Sequence, residues 1–471
     1  MTRIRPTLLA LALAAAFPAW AQTNAELLRE LQALRERVGE LERRLEQARA
    51  PAAGQWGMTP EQAAELNRLT VRTEAIEDSF IAQGLKGLTI SGYADPAFVW
   101  NQRQHRAGFQ FLNPQGDGFF YDTSYLGTVN LRLVKEMDGG TVWTLSLSPN
   151  RAPGAVVDGR SIVEEASVSL PLTDLQTRLI VGQVPDWSGY EYLQPTLNPL
   201  VTNNLLFTFT LPTMYTGVGV DLTRGNWQLR TMLANVNETI ANARSRSPVL
   251  VYRVDHTLGE FSGWGLAGLH GRTTNFNLCL DADCETFRKS TTHLFEVDGW
   301  YARGDLTLGG QIGVGMQRQA AIIPAADGSF RDARWWGVSG LVGWNFTPRL
   351  QGLVRADYLH NRSNGGGLFG YTGYWPGYGT GGLAGDYRNG IGPDATLGCE
   401  GTDAALLPAG CHRGANRYAL SLGLRYLLNE HTTLKAEYRL DGATERVFYD
   451  VRSGHFLKRN QLLAASVVVA F

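Results

Sequence analysis

The stretch "LKAEYRLD", residues 434–441, sets Leu434, Ala436, Tyr438 and Leu440 on one phase and Lys435, Glu437, Arg439 and Asp441 on the other. Strict period-two alternation is the pattern of a β-strand with one apolar and one charged face. It recurs upstream. "YLGTVNLRLVKE" (125–136) places Tyr125, Val129, Leu131 and Leu133 opposite Thr128, Asn130 and Arg132, and "TVWTLSLSPN" (141–150) places Trp143, Leu145 and Leu147 opposite Thr144, Ser146 and Ser148. Sixteen segments of this kind run from 88–100 to 461–471, of which 264–275 alternates least cleanly.

A soluble sandwich and a membrane barrel share this alternation, and the connections separate them. "MDGG" (137–140), "PLTD" (171–174), "TRGN" (223–226), "GEFSG" (259–263), "RGD" (303–305), "TPR" (347–349) and "NEH" (429–431) are tight turns. The connections between them are mostly long and rich in Gly, Pro and Asn. One trimmed rim and one elaborated rim predict an all-β transmembrane antiparallel barrel. An even strand count returns both chain ends to the trimmed side.

The chain closes on "QLLAASVVVAF" (461–471), with Leu463, Ala465, Val467, Val469 and Phe471 on one phase. A terminal Phe on the lipid-facing phase of a last strand resembles the signal read by the outer-membrane barrel insertion machinery, which makes that machinery an expected partner through Phe471.

At the other end, Arg3 and Arg5, the apolar run Leu8–Phe17 and the small residues Ala19 and Ala21 predict a signal peptide over 1–21. Leu27, Leu31, Leu34, Val38, Leu41 and Leu45 then form a heptad seam, which predicts a coiled-coil stalk over 22–50. Within it "RVGELE" (37–42) resembles a motif of parallel three-stranded coiled coils, so Arg37, Val38, Leu41 and Glu42 are the expected trimerisation residues. A linker follows over 51–59. Thr59, Pro60 and Gln62 read as the start of a second periplasmic helix over 60–84. The barrel is expected over 88–471.

The formal net charge of −1 implies neither nucleic acid nor an acidic surface as partner. Four cysteines fall in two local pairs, Cys279 with Cys284 and Cys399 with Cys411, inside polar loop-like segments. In an oxidising compartment they read as disulfide candidates, and the spacing for a metal site is missing. No cofactor is implied.

Residues 22–471 resemble a Gram-negative outer-membrane porin, closest in layout to the OmpL-like β-barrel porins and others with an N-terminal coiled coil. "ISGYADPAF" (90–98), "VGQVPDWSGYEYLQPTLNP" (181–199) and the terminal strand carry the likeness. It implies a sixteen-stranded, homotrimeric, water-filled pore in the bacterial outer membrane, surrounded by outer-membrane lipid, with the N-terminal helices in the periplasm.

On the polar phase Arg132, Arg178, Arg230 and Arg253 come from strands two, five, seven and eight, with Glu296 and Asp298 on strand ten and Arg355 and Arg439 further on. The signs nearly cancel, so strong ion selectivity is not expected. Opposed basic and acidic walls would set up a transverse field across the lumen. In trimeric porins the third loop folds into the pore, and here residues 185–213 carry Asp186 and Glu191, which could face the arginine wall at a constriction or be ordinary solvated charges. In the longest loop, "GGGLFGYTGYWPGYGTGGLAG" (365–385) reads either as a sugar track or as a compact lid.

Enzymatic activity is not expected. Ser421 in "ALSLG" lacks a strand-to-helix elbow, and His256, His270, His293 and His360 have no carboxylate at a meaningful spacing and mostly face lipid near a rim. The expected function is a weakly selective channel for passive diffusion of small polar solutes, namely ions and sugars. The alternatives are a plugged structural or surface-binding barrel tethered by its coiled coil, and an anion- or phosphate-specific channel.

Overall fold

A computed structural model describes residues 68, 84–111, 126–148, 162–236, 242–243, 247–279, 286–321, 325, 327, 329–363, 391–398 and 406–471. The expected signal peptide, stalk and linker lie outside them, as do Arg37, Val38, Leu41, Glu42 and the aromatic segment 365–385. Of the second expected helix, Arg68 is described and is helical. The chain divides into two compact units, Met1–Thr89 with Val134–Asp138, and Ile90–Leu133 with Gly139–Phe471. In the first, Lys86 pairs with Asp138 at 3.1 Å, and Lys135 Nζ donates to the Gly84 carbonyl at 2.5 Å.

The second unit carries a closed antiparallel barrel of sixteen strands. They are β1 (Leu88–Ala94, continued by Ala97–Asn101), β2 (Arg106–Gln110, continued by Val129–Glu136), β3 (Val142–Leu147), β4 (Val163–Asp174), β5 (Thr177–Pro185), β6 (Met214–Arg224), β7 (Trp227–Val236) and β8 (Val249–Gly259). The other half comprises β9 (Ser262–Cys279), β10 (Thr286–Arg303), β11 (Leu306–Gln317), β12 (Ala333–Thr347), β13 (Leu350–His360), β14 (Arg417–Asn429), β15 (Thr432–Ala443) and β16 (Arg459–Ala470). The first and last strands join at Tyr93↔Ala470 and Ala97↔Ser466, so the sheet has no free edge. One helix, α1 (Leu205–Thr210), lies in the connection from β5 to β6.

The weakly alternating ninth segment is a strand, longer than expected. Two readings need correction. "PLTD" is not a turn: β4 runs through it to Asp174 and turns at 175–176, because Pro171 still pairs with Arg178 in the ladder. The first loop-side connection is also not a long one. Residues 102–105 form a tight hairpin, and an insertion instead interrupts β2 between Gln110 and Val129. Where the chain rejoins that strand, Gly127 has φ +68°, and a Cβ there would stand 2.3 Å from the Gln110 carbonyl oxygen. Only glycine fits.

The two faces are inverted relative to a water-soluble sandwich. Outward Ile312 and Trp344 are 58% and 50% exposed, whereas inward Arg355 and Glu437 are 0% and 1% exposed. Leu420, Leu422, Leu424, Val467 and Val469 continue the exposed apolar belt. Such a surface is stable only in contact with hydrocarbon. Near its rims sit ring pairs, including Trp227 stacked on His256 at 4.1 Å and Trp336 on His360 at 5.5 Å, as expected of outward histidines.

Candidate functional site

The lumen is organised by the connection between β5 and β6, residues 186–213, which enters the barrel instead of standing above it. Its entry is held at Asp186. This carboxylate accepts from the Tyr215 hydroxyl and from Ser188 Oγ (2.9 Å), and burial pushes its pKa up to about 6. Next, the Gly189 amide donates to Glu296 Oε2 at 3.0 Å, and the Tyr190 hydroxyl lies 2.7 Å from Ser339 Oγ, which donates to Asp357.

Further along, Glu191 meets Arg355 of β13 at 2.9 Å, and its other oxygen accepts from the Asn204 amide at 2.7 Å. Burial raises the Glu191 pKa, opposed by the Arg355 charge. The loop then reaches β15. Lys435 Nζ donates to the carbonyls of Pro195 and Asn198 at 2.5 and 2.6 Å, and Glu437 accepts from the amides of Val201 and Thr202 at 2.9 and 2.7 Å. Arg439 donates to the Asn203 carbonyl at 2.9 Å. These charged groups spend their hydrogen-bonding capacity on backbone that would otherwise be buried unpaired.

Apolar contacts complete the docking. Val201 packs with Val99, Leu462 and Ala464, and Leu200 with Leu341 and Leu353. Asn204 caps α1 by accepting from the Phe207 amide at 2.8 Å. Leu205 and Phe209 of that helix join a buried cluster with Met232, Val251, Leu269, Leu294, Trp335 and Leu359. Gly337 and Gly313 make room for Leu206, since a Cβ on Gly337 would lie 2.9 Å from its methyl group. The loop is thus fastened to β10–β16 and β1 by its polar contacts, and its helix also packs in one apolar layer with β7–β9.

The expected lumenal residues all lie on inward positions or in this loop, but they do not form opposed charged walls. Arg253 donates to both oxygens of Asp298 at 2.6 and 2.9 Å and to Asp255 at 2.7 Å. Cations and acids touch because β9 places Gly265 between Asp255 and Asp298, and side chains from β8 and β10 reach across it. Arg230 likewise pairs with Asp255 at 3.1 Å, and Arg132 with Glu165 at 2.8 Å. Arg178 donates to Ser169 and to the Gly140 carbonyl, both at 2.7 Å. Contact neutralisation replaces the expected transverse field.

Nor does Glu191 face the arginines of β2, β5 and β7, because Arg355 holds it on the opposite wall. The parts played by Lys435, Glu437, Asp357 and Tyr190 as loop anchors escape sequence reasoning. The inward phase of Lys435, Glu437 and Asp357 is legible, but the loop backbone that Lys435 and Glu437 bind lies 240 and 236 positions away, and Tyr190 meets the Ser339 hydroxyl 149 positions away. Ser421 is buried on the lumen face, 3.4 Å from Arg355 Nη2. Cys411 is buried and disulfide-bonded, and no cysteine among the described residues is free. Cys284 and Cys399 lie outside the described residues.

Together these features define a porin-type sixteen-stranded barrel with an infolded third loop. By sequence the chain belongs to the family described as "Protein of unknown function (DUF3138)", whose model matches residues 61–471. No curated protein matches it. Among solved structures it resembles the anion-selective porin from Comamonas acidovorans, with a TM-score of 0.51 and 10% identity over 82% of this chain and 99% of that one. It also resembles the outer membrane channel DcaP of Acinetobacter baumannii (TM-score 0.47, 11% identity, 82% and 97% covered). Salmonella typhi OmpF in complex with daunomycin matches similarly (TM-score 0.48, 11% identity, 82% and 97% covered). At these identities the likeness is one of fold.

Proposed function

We propose that the protein is an outer-membrane channel for passive diffusion of small polar solutes, with weak ionic selectivity. The observation that carries this reading is the solvent contact kept by lumenal polar groups on the short-turn side of the third loop. The loop docks on β10–β16 and β1 and its helix joins an apolar layer with β7–β9, while inward polar groups nearer the short turns keep contact with solvent: Arg132 is 22% exposed, and Arg230 and Asp255 are each 27% exposed. Arg132 is offset by Glu165 and Arg230 by Asp255, and Arg178 faces Asp221 across the ladder. A path lined by neutralised pairs admits ions of both signs and uncharged polar solutes such as sugars.

The remaining parts of the proposal rest on sequence. The heptad seam with Arg37, Val38, Leu41 and Glu42 supports a homotrimer with its stalk in the periplasm. Local spacing supports disulfides Cys279–Cys284 and Cys399–Cys411. Catalysis has no place in this reading, and neither has a cofactor.

Single-channel conductance in planar bilayers, followed by the reversal potential in a salt gradient, tests it. Stepwise openings with a reversal potential near zero are expected. A correctly folded barrel that stays silent would overturn the channel reading in favour of a plugged barrel. The apolar layer around Phe209 and Leu205 is the observation that keeps that second reading in view. Deleting residues 22–84 is expected to weaken heat-resistant trimers and leave each barrel able to fold.

A further inference from the structure

At the loop rim, the outer face of β9–β12 carries a group of cations that the pore does not use. The register fixes their arrangement. His270, His293, Met316 and Arg334 are successive partners across β9, β10, β11 and β12. One outward position nearer the loops, Arg272 pairs with Thr291, whose carbonyl accepts from the Arg318 amide at 2.9 Å. Neighbouring strands lie ~4.8 Å apart, so Arg272 and Arg318 flank Thr291 at a separation of roughly 10 Å. Arg272, His293, Arg318 and Arg334 are exposed.

These charges are poorly compensated. Arg334 has Asp332 at 3.6 Å, and Arg272 Nη2 donates to the Lys289 carbonyl at 3.0 Å. Neither Arg272 nor Arg318 has a carboxylate partner among the described residues. His270 and His293 face each other with ring nitrogens 3.1 Å apart, and the Tyr252 hydroxyl reaches the far nitrogen of His270 at 3.1 Å. Elsewhere on this rim, the outward positions Thr216, Asn235, Tyr418 and Gln461 are uncharged, and Arg459 of β16 is a single exposed cation beside them. Several cations stand together only in the β9–β12 sector among these positions.

Directly beneath it lie Phe295, Ile312, Val314 and Trp336, all exposed and apolar. Cations above a hydrocarbon-facing column match an amphiphile with an anionic head and acyl chains. Arginine favours phosphate in particular, since its planar fork binds two oxygens at once.

We propose that this sector, built on Arg272, Arg318, Arg334, His270 and His293, binds the phosphorylated headgroup of an outer-leaflet glycolipid, whose acyl chains lie along the apolar column below. The inference rests on the outer face being embedded in the membrane, and it holds whether or not the lumen conducts. A free phosphate ion would use the arginines and ignore the column.

The test is native mass spectrometry and lipid titration of the full chain, purified in an uncharged detergent. The probes are bisphosphorylated lipid A, the same lipid after dephosphorylation, and inorganic phosphate. The expected result is saturable binding of the phosphorylated lipid alone, weakened roughly tenfold or more in R272Q/R318Q/R334Q and by added salt. Equal binding by the triple variant, or by the dephosphorylated lipid, would overturn the proposal, and so would inorganic phosphate binding as tightly as the lipid. Should the triple variant lose its heat-modifiable band, R318Q alone replaces it, because its side chain holds no carboxylate in the fold. Conductance measured on the same samples keeps a failure here separate from a failure of the channel reading.

Discussion

Glu191 and Arg355 meet at 2.9 Å inside the barrel although 164 positions separate them in the chain. Arg355 is also 3.3 Å from Asp357 and 3.6 Å from Glu437, and it donates to the Thr202 carbonyl at 2.6 Å. One guanidinium therefore joins two segments of the third loop to β13 and β15, and four predictions test what that fastening and the barrel seam do.

Removing one member of a buried ion pair typically costs about 3–5 kcal/mol, because the other charge is left uncompensated. Arg355→Met leaves three acids facing one another, whereas Glu191→Gln keeps one accepting oxygen for the Asn204 amide and leaves Arg355 two other carboxylates. R355M is expected to expose residues 186–213 to limited proteolysis far more than E191Q does, and to add noise to single-channel currents. Equal protection in both variants would show that the pair does not fasten the loop.

The protonation of Asp186 sets a pH dependence. Burial raises its pKa from the ordinary 3.8 to about 6, so the folded loop binds this proton more tightly than the undocked one. The resulting stabilisation is complete below about pH 4 and is lost as pH rises through about 6, a change on the order of 3 kcal/mol. Glu191 shifts in the same direction. Hydrogen exchange of the loop amides should slow from pH 7 to pH 5 after correction for intrinsic exchange, and Asp186→Asn should flatten the profile.

Leu200 seats on Gly423, where a Cβ would stand 2.2 Å from the leucine Cδ2. Gly423→Val should unseat Leu200 and forfeit the burial of one leucine, about 1.5–3 kcal/mol of loop docking. The barrel should still assemble and show a larger mean conductance. An unchanged conductance would place the diffusion path away from this part of the loop.

The seam of the barrel closes at Phe471. Phe471 and Gly92 exchange amide-to-carbonyl hydrogen bonds at 3.0 and 3.1 Å. Deleting Phe471 removes both bonds and takes away the aromatic ring. The yield of heat-modifiable barrel in cell membranes should fall several-fold, more steeply than the yield on refolding in detergent. Equal losses in both settings would assign Phe471 a purely structural part.

Strand positions were legible in the residues to within a few places, because facing is a property of neighbours. Once Leu434, Ala436, Tyr438 and Leu440 share a phase, Lys435, Glu437 and Arg439 must share the other. The interruption of β2 was not legible. The run 106–110 is too short to stand out as a strand, and its pairing with Ala97–Asn101 is set by closure of the sheet. The candidate site was half legible. Arg253, Asp298, Arg355 and Arg439 lie buried inside the barrel, yet Arg253 and Asp298, expected on opposed walls, are in contact, since glycine on β9 lets charges from flanking strands touch.

By itself, then, the sequence determined the barrel, its strand number and which side chains turn inward, because alternation, turn chemistry and the terminal strand are encoded within about ten residues of each other. Only the tertiary structure decided what occupies the lumen. Lys435 and Glu437 hold the backbone at 195–202, and Arg355 holds Glu191, through contacts that span more than 150 positions. Carbonyls and amides of a loop look alike in any sequence, so which of them a buried charge will satisfy is settled when the sheet closes around the loop and no water is left to compete.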